Sequence, residues 1–188
     1  NEPAPQGIGT PFMPRSPYGV SKLGAYQLVK NYREAYNLFA CSGILFNHES
    51  PIRGEQFVTR KIVKAVVAIK KGRQKRLYLG NLNALRDWGH AEDYVQAMYM
   101  MLQRENPKDY VIGTGVSHSI EDFCSYTFEH FGMNYANYVI VSLEFYRPAE
   151  VNQLQADIQP ALFDLGWQPT HTFKTLITDM ITYEWNNS

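Results

Sequence analysis

Tyr18 and Lys22 stand four residues apart in the stretch 16–22 (SPYGVSK), a spacing that puts both side chains on one face of a helix. Ser16 suits an N-cap, and Pro17 suits a first helical turn, where its missing N–H costs nothing. An ammonium beside a phenol favours the phenolate and draws the tyrosine below its free value of about 10. Such a tyrosine serves as a base for a sugar or alcohol hydroxyl near neutral pH. With 13 tyrosines and nine lysines in 188 residues, about 0.6 such pairs arise by chance, so the surroundings must decide.

The remaining polar groups of chemical interest fall in segments that follow apolar runs. They are Asn47, His48 and Glu49 with Arg53, then Thr59 to Lys61, Arg86 with Asp87, and Arg147 with Glu150. Loops beyond strand ends are where α/β proteins bind ligands. Three arginines on separate loops can converge on a diphosphate through bidentate hydrogen bonds.

The elements that would position these groups alternate between helix and short strand, which indicates an α/β protein. Residues 1–15 are rich in proline and glycine and read as loop. A helix is predicted from Pro17 to about Ala35, with Ala25, Leu28, Val29 and Tyr32 at helical spacing and Asn37 ending it. The apolar run 39–47 reads as one buried strand, and 48–56 as the loop past its C-terminal end. Thr59 opens a second helix that Gly72 stops. Residues 77–79 form a strand, and 86–90 lead into a helix whose face carries Val95, Met98 and Leu102, with Pro107 closing it. Strands at 110–114 and 139–141 flank a helix with a Ser119/Asp122 capping box that runs on to Gly132. Asp157 caps a helix stopped by Gly166. Thr172 caps the last one, whose stripe is Phe173, Leu176, Ile177, Met180 and Ile181.

Composition excludes several classes. Eighteen basic residues balance eighteen acidic ones, so no global field points to nucleic acid or membrane. The basic run 70–76 lacks interleaved aromatics and reads as a solvated helix end. No stretch is long and apolar enough for a membrane span, and no signal peptide is visible. Cys41 and Cys124 sit in apolar company and read as buried free thiols of a reducing compartment. No H-x-x-x-H or C-x-x-C pair supports a metal site, and there is no G-x-S-x-G elbow. Neither G-x-G-x-x-G nor G-x-x-x-x-G-K-[ST] occurs, so no phosphate-cradling loop opens a helix.

One family accounts for the polar residues in order. The strings PRSPYGVSK (14–22), NYREAYNL (31–38), GILFNHESP (43–51), FVTRKI (57–62), RDWGH (86–90) and YRPAEV (146–151) resemble the GDP-mannose 4,6-dehydratases. These are extended short-chain dehydrogenase/reductases that use NADP. The resemblance covers essentially the whole chain and implies an α/β fold. It is that of the C-terminal part of a Rossmann-like NAD(P)-binding enzyme with its small substrate-binding subdomain. Residues 1–56 would end the Rossmann part with the Tyr/Lys helix. Residues 57–188 would be mostly substrate-binding subdomain with the remaining Rossmann elements. The family's glycine-rich N-terminal half, with its second catalytic base, would be absent. By the same resemblance Tyr18 takes the proton of the sugar 4-hydroxyl, and Lys22 holds the nicotinamide ribose. His48 and Arg53 contact NADP. Asn47, Thr59, Lys61, Arg86, Arg147 and Glu150 contact GDP-mannose, the arginines at the diphosphate and Glu150 at the guanosine ribose. The product would be GDP-4-keto-6-deoxymannose, made in the cytoplasm by a homo-oligomer, dimer or tetramer, of the full-length enzyme.

Two features depart from the family pattern. Ile52 stands where the family often has a second arginine beside Arg53. The segment between Gly132 and Tyr146 is short, as in relatives that reduce the 4-keto sugar instead. That reductase activity and a non-catalytic nucleotide-sugar binding module are the alternatives to the dehydratase. The isolated chain is expected to be inactive and prone to association.

Overall fold

Ser16 opens the first helix as its sequence predicts. In the computed structural model, which describes residues 2–146 and 151–188, α1 (Pro17–Tyr36) starts with the Ser16 hydroxyl accepting the Gly19 N–H at 3.0 Å. It ends at Asn37, whose φ of 52° is left-handed. None of its residues is buried, and Leu28 and Tyr32 of the predicted stripe are 61% and 50% exposed. A polar clamp fastens it instead. Arg33 donates to both oxygens of Asp109 at 2.7 and 2.8 Å and to the Ala40 carbonyl at 2.9 Å, while Asp109 also accepts the Ser42 N–H.

The apolar run after α1 is two strands rather than the one predicted. β1 (Gly43–Leu45) and β2 (Asn47–Glu49) part at Phe46, so His48 and Glu49 belong to a strand and not to the loop expected there. The break arises because the chain changes partner. β1 pairs in parallel with a strand at Tyr110–Ile112, and β2 pairs in parallel with one at Trp88–His90.

α2 (Val58–Lys70) follows and stops before Gly72, whose φ of 75° suits glycine. Its buried Ile62, Val63 and Val66 face β3 (Leu77–Leu79). β4 (Leu85–Arg86) and β5 (Trp88–His90) are separated by Asp87 alone, and α3 (Ala91–Met101) grows directly from β5. β6 (Tyr110–Ile112) is the partner of β1. β7 (His118–Ser119) pairs antiparallel with β4 and runs into α4 (Ile120–Glu129) through the predicted Ser119/Asp122 capping box. β8 (Val139–Val141) pairs in parallel with β3. α5 (Gln159–Leu165) and α6 (Phe173–Asn187) complete the chain. Thr172 caps α6 as predicted. Asp157 falls one position outside the N-cap of α5, where its carboxylate still accepts the Gln159 N–H at 3.1 Å.

Two apolar clusters result. One joins α2, α4 and α6 over β3, with Trp88, Phe123, Phe128 and Met180 among its buried members. The other joins α3, β6 and α5 through Tyr94, Met101, Ile112 and Trp167. Here a predicted face is wrong. Val95 and Leu102 of α3 are 61% and 58% exposed, and Tyr94, Ala97 and Met101 point inward. α3 carries apolar residues on both sides, and the position of Trp167 decides between them: its indole donates to the Asp93 carbonyl at 2.9 Å and meets Tyr94 edge-on. Both cysteines are free. Burial pushes the Cys124 thiol up to about 12, and Glu121 adds to the shift. The basic run at 70–76 caps another element: Lys71 donates to the carbonyls of Trp185 and Ser188 at the C-terminal end of α6.

Asp87 binds these parts together. Fully buried, it accepts the Thr114 N–H and hydroxyl at 2.8 and 2.6 Å, the Gly115 N–H at 2.9 Å and the Ala156 N–H at 3.0 Å. A Cβ at Gly113 would collide with the Ala156 methyl and this carboxylate, which is why glycine stands there.

Asp87→Ala leaves those donors unpaired and is expected to cost about 3 kcal/mol or more in chemical unfolding, whereas Val95→Ala stays within roughly 0.5 kcal/mol. A second expectation concerns acid. Burial pushes Asp93 and Asp109 up, but the Thr170 hydroxyl and His171 at the first, and Arg33 and the Ser42 N–H at the second, outweigh it. Both therefore lie below their ordinary 3.8 in the folded chain. The stability they contribute is complete above the unfolded value and is lost as pH falls through the lower folded ones. Melting temperature against pH should drop below about pH 4, and Asp109→Asn should make that drop shallower.

Candidate functional site

The site is organised by the alternation of β2. Side chains on a strand point to opposite faces in turn, and here the two faces open into different clefts. Asn47 and Glu49 line a cleft of about 300 Å³ with Thr59, Lys61, Arg86, Trp88 and Phe145. His48, between them, lines a second cleft of about 690 Å³ with Tyr18, Lys22, Leu23, Tyr26 and Ile44. Three consecutive positions thus sort most of the residues singled out from the sequence into two groups, while Arg53 is among the lining of neither cleft.

In the smaller cleft, the Thr59 hydroxyl donates to Glu49 Oε2 in a short hydrogen bond. Thr59 is itself buried, so towards a ligand its oxygen can only accept. Lys61 donates to the Tyr78 carbonyl at 2.7 Å and lies 4.2 Å over the Phe145 ring, and burial holds its pKa below the usual lysine range. Arg86 donates to the carbonyls of Leu85 and Val151 at 2.8 and 2.7 Å, which tethers the segment after Glu150 to β4. Arg147 and Glu150 lie outside the described residues.

Glu49 is 1% exposed. Burial pushes its carboxyl up, against the opposing pull of Thr59 and Arg53. Arg53 is beside it, with Nε 3.3 Å from Oε2 and the guanidinium carbon 3.5 Å over the Phe57 ring. That contact is an ion pair and not a hydrogen bond, because Nε is buried without a hydrogen-bond partner. Sequence reasoning placed Glu49 in a ligand loop and gave it no role. The available signal was its spacing two residues from Asn47, which marks the same face. Asp87 was likewise grouped with ligand residues, whereas its carboxylate is fully occupied within the fold.

In the larger cleft, Lys22 Nζ lies 5.6 Å from the Tyr18 ring centroid, as the i, i+4 spacing requires. Tyr18 is 71% exposed, at the open rim on α1. The His48 ring pairs its Nδ1 with the Phe46 carbonyl at 2.9 Å, which makes Nδ1 the donor and leaves Nε2 as acceptor. A hydroxyl brought to this cleft meets a phenol, an ammonium and an imidazole. One brought to the other meets an amide, a cation and a guanidinium.

A third groove, about 870 Å³, runs beside α2 towards the end of α6 and shares Lys61 and Phe145 with the smaller cleft. Its other cations are largely committed, Lys64 to Glu55 and Arg60 to Glu184. Away from the clefts, His90, Glu92 and His171 bring ligand-type atoms within 4.8 Å of one another, a proximity the sequence did not suggest. The hydrogen bonding does not suit a metal. His90 Nδ1 accepts the Glu92 N–H at the N-terminus of α3, and its Nε2 pairs with Asp179, so no lone pair is left. The two rings stack 4.0 Å apart at 16°, which aligns their nitrogen lone pairs instead of converging them.

Parallel strands between helices, with a tyrosine–lysine helix along one cleft, define an α/β fold that known structures share. The structure of RMD from Pseudomonas aeruginosa complexed with NADPH superimposes with a TM-score of 0.90 at 21% identity, over 98% of this chain and 61% of that one. Residues 1–180 match the family model for GDP-mannose 4,6 dehydratase, and the chain belongs to that family. It is 54% identical to GDP-mannose 4,6 dehydratase 2 of Arabidopsis thaliana, over 95% of this chain and 48% of that protein. To human GDP-mannose 4,6 dehydratase it is 48% identical, over 94% of this chain and 52% of that one. The chain spans about half the length of these relatives.

Because both His90 nitrogens are hydrogen-bonded and His171 Nδ1 pairs with Asp93, equimolar Zn²⁺ is expected to leave the melting temperature unchanged. A stabilisation by Zn²⁺ that His171→Ala abolishes would show a metal site after all.

Proposed function

We propose that the chain is the C-terminal half of an NADP-dependent enzyme that dehydrates GDP-mannose to GDP-4-keto-6-deoxymannose, and that in its relatives' full length it works as a homo-oligomer in the cytoplasm. The observation that carries this reading is the alternation of β2, which separates His48, Tyr18 and Lys22 from Asn47, Thr59, Lys61 and Arg86. An enzyme moving hydride between a sugar and a nicotinamide needs two sites that meet at one edge, and a single strand here lines both.

The larger cleft fits the nicotinamide end of a dinucleotide in chemistry. Lys22 offers an ammonium to ribose hydroxyls, and Leu23 and Ile44 offer apolar walls to a flat ring. When bound, NADP supplies the uptake of hydride from C4 and its return at C6, so the loss of water is redox-neutral overall. Tyr18 takes the proton of the 4-hydroxyl, with the Lys22 charge beside it. Asn47 orients the sugar from the other side of β2, and Lys61 and Arg86 face the diphosphate. None of the described residues is assigned the role of acceptor for the C5 proton. For that reason, and because the dinucleotide phosphates find no glycine-rich loop here, the chain alone is read as catalytically incompetent.

The test is turnover of GDP-mannose by the protein extended to its relatives' length, followed by NMR of the sugar. The expected result is a 4-keto-6-deoxy product with no net change in NADPH. Tyr18→Phe should lower kcat by roughly a hundredfold or more, and the 188-residue chain alone should show none. Failure to form the product overturns the proposal, and stoichiometric consumption of NADPH would assign the reductase in its place.

A further inference from the structure

Among the described residues, Glu49 is a buried carboxylate that contacts two of the candidate ligand residues at once. Oε2 accepts the Thr59 hydroxyl at the smaller cleft and lies 3.3 Å from Nε of Arg53, the residue that the family resemblance assigns to NADP. We propose that Glu49 is a positioning residue whose single carboxylate sets the Arg53 guanidinium and the Thr59 hydroxyl together, so that the two ligand sites share one anchor. The inference rests on the proposed function for the identity of the two ligands.

The chemistry of the two contacts differs, and this makes the claim separable from a general structural role. Towards Thr59, Glu49 acts as a hydrogen-bond acceptor, a task the amide oxygen of glutamine performs equally well. Towards Arg53 it acts as a negative charge, since Nε makes no hydrogen bond to it. Without that charge, the guanidinium keeps only its stacking on Phe57. Among the described residues no hydrogen bond holds the Arg53 side chain, so its direction depends on Glu49 and Phe57. The terminal nitrogens are therefore left to an anionic ligand, with the fork aimed by a carboxylate behind it. For Thr59 the consequence is the reverse. Glu49 fixes the hydroxyl proton and turns the oxygen's lone pairs outward, so Thr59 can accept from a sugar hydroxyl but cannot donate to one.

The test compares Glu49→Gln, Glu49→Ala and Thr59→Ala in the protein extended to its relatives' length. NADP affinity is read by titration, the KM for GDP-mannose by turnover, and stability by melting. Glu49→Gln is expected to weaken NADP about tenfold while the KM for GDP-mannose rises less than about threefold, because the charge is lost and the acceptor kept. Thr59→Ala should do the opposite, and Glu49→Ala should weaken both. If Glu49→Gln leaves NADP affinity within twofold, or shifts both ligands equally in step with a fall in melting temperature, the inference is wrong. If the unmutated protein binds NADP but does not turn over GDP-mannose, the proposed function fails, while the NADP titration of Glu49→Gln still decides the role of this carboxylate.

Discussion

The buried carboxylate of Asp87 is the constraint on which the rest of this structure depends. Removing a carboxylate from water is expensive unless donors replace the hydration. Here, among the described residues, they are three backbone N–H groups and one hydroxyl, with no ion pair. The donors come from the turn after β6 and from Ala156, two segments far apart in sequence. One side chain therefore fixes where β6 ends and where the strap towards α5 crosses. Its neighbours inherit their positions. Arg86 is held in β4 at the rim of the smaller cleft, and Trp88 starts β5 within the first apolar cluster. Because β5 is in register with β2, Asn47 opposite Trp88 and Glu49 opposite His90, the Asp87 knot also sets the strand that divides the two clefts.

The two clefts are not built alike. The smaller is walled by α2 and β5, whose inner sides belong to the first apolar cluster, so its polar groups are mounted on rigid elements. One wall of the larger is α1, which buries no residue and is joined to the remainder by the Arg33–Asp109 clamp and the contact of Phe12 with Tyr26. Tyr18 and Lys22 are thus carried on the element with least packing behind it. A helix that is to hold a base to within tenths of an ångström needs more support than the described residues give this one.

What the sequence disclosed follows the range of the forces involved. Caps and stops are local, and Ser16, Ser119 with Asp122, Thr172, Gly72 and Gly166 could each be read from a few neighbouring residues. The division of the run 39–47 into two strands could not, since it depends on which distant strand each half pairs with. The face of α3 was undecidable for a similar reason. Val95 and Leu102 are as apolar as Ala97 and Met101, and the arrival of Trp167, 74 residues beyond Asp93, selects between them. The candidate ligand residues were legible as a family pattern. Their sorting into two clefts was not, because it requires knowing that residues 47–49 are extended.

That extended conformation bears most of the functional argument. A strand only three residues long has little to fix its register, and a slip of one position would send His48 into the smaller cleft and Asn47 and Glu49 into the larger. Three side-chain contacts oppose the slip. Tyr94 donates to the Asn47 carbonyl at 3.3 Å, and Glu49 takes both Thr59 and Arg53. Each is polar and specific to one register, where an apolar contact would tolerate the shift. Buried polar groups in this strand thus do what hydrophobic patterning does in longer ones. The buried carboxylate of this strand, Glu49, is also the one whose displacement would release Thr59 and Arg53 at once.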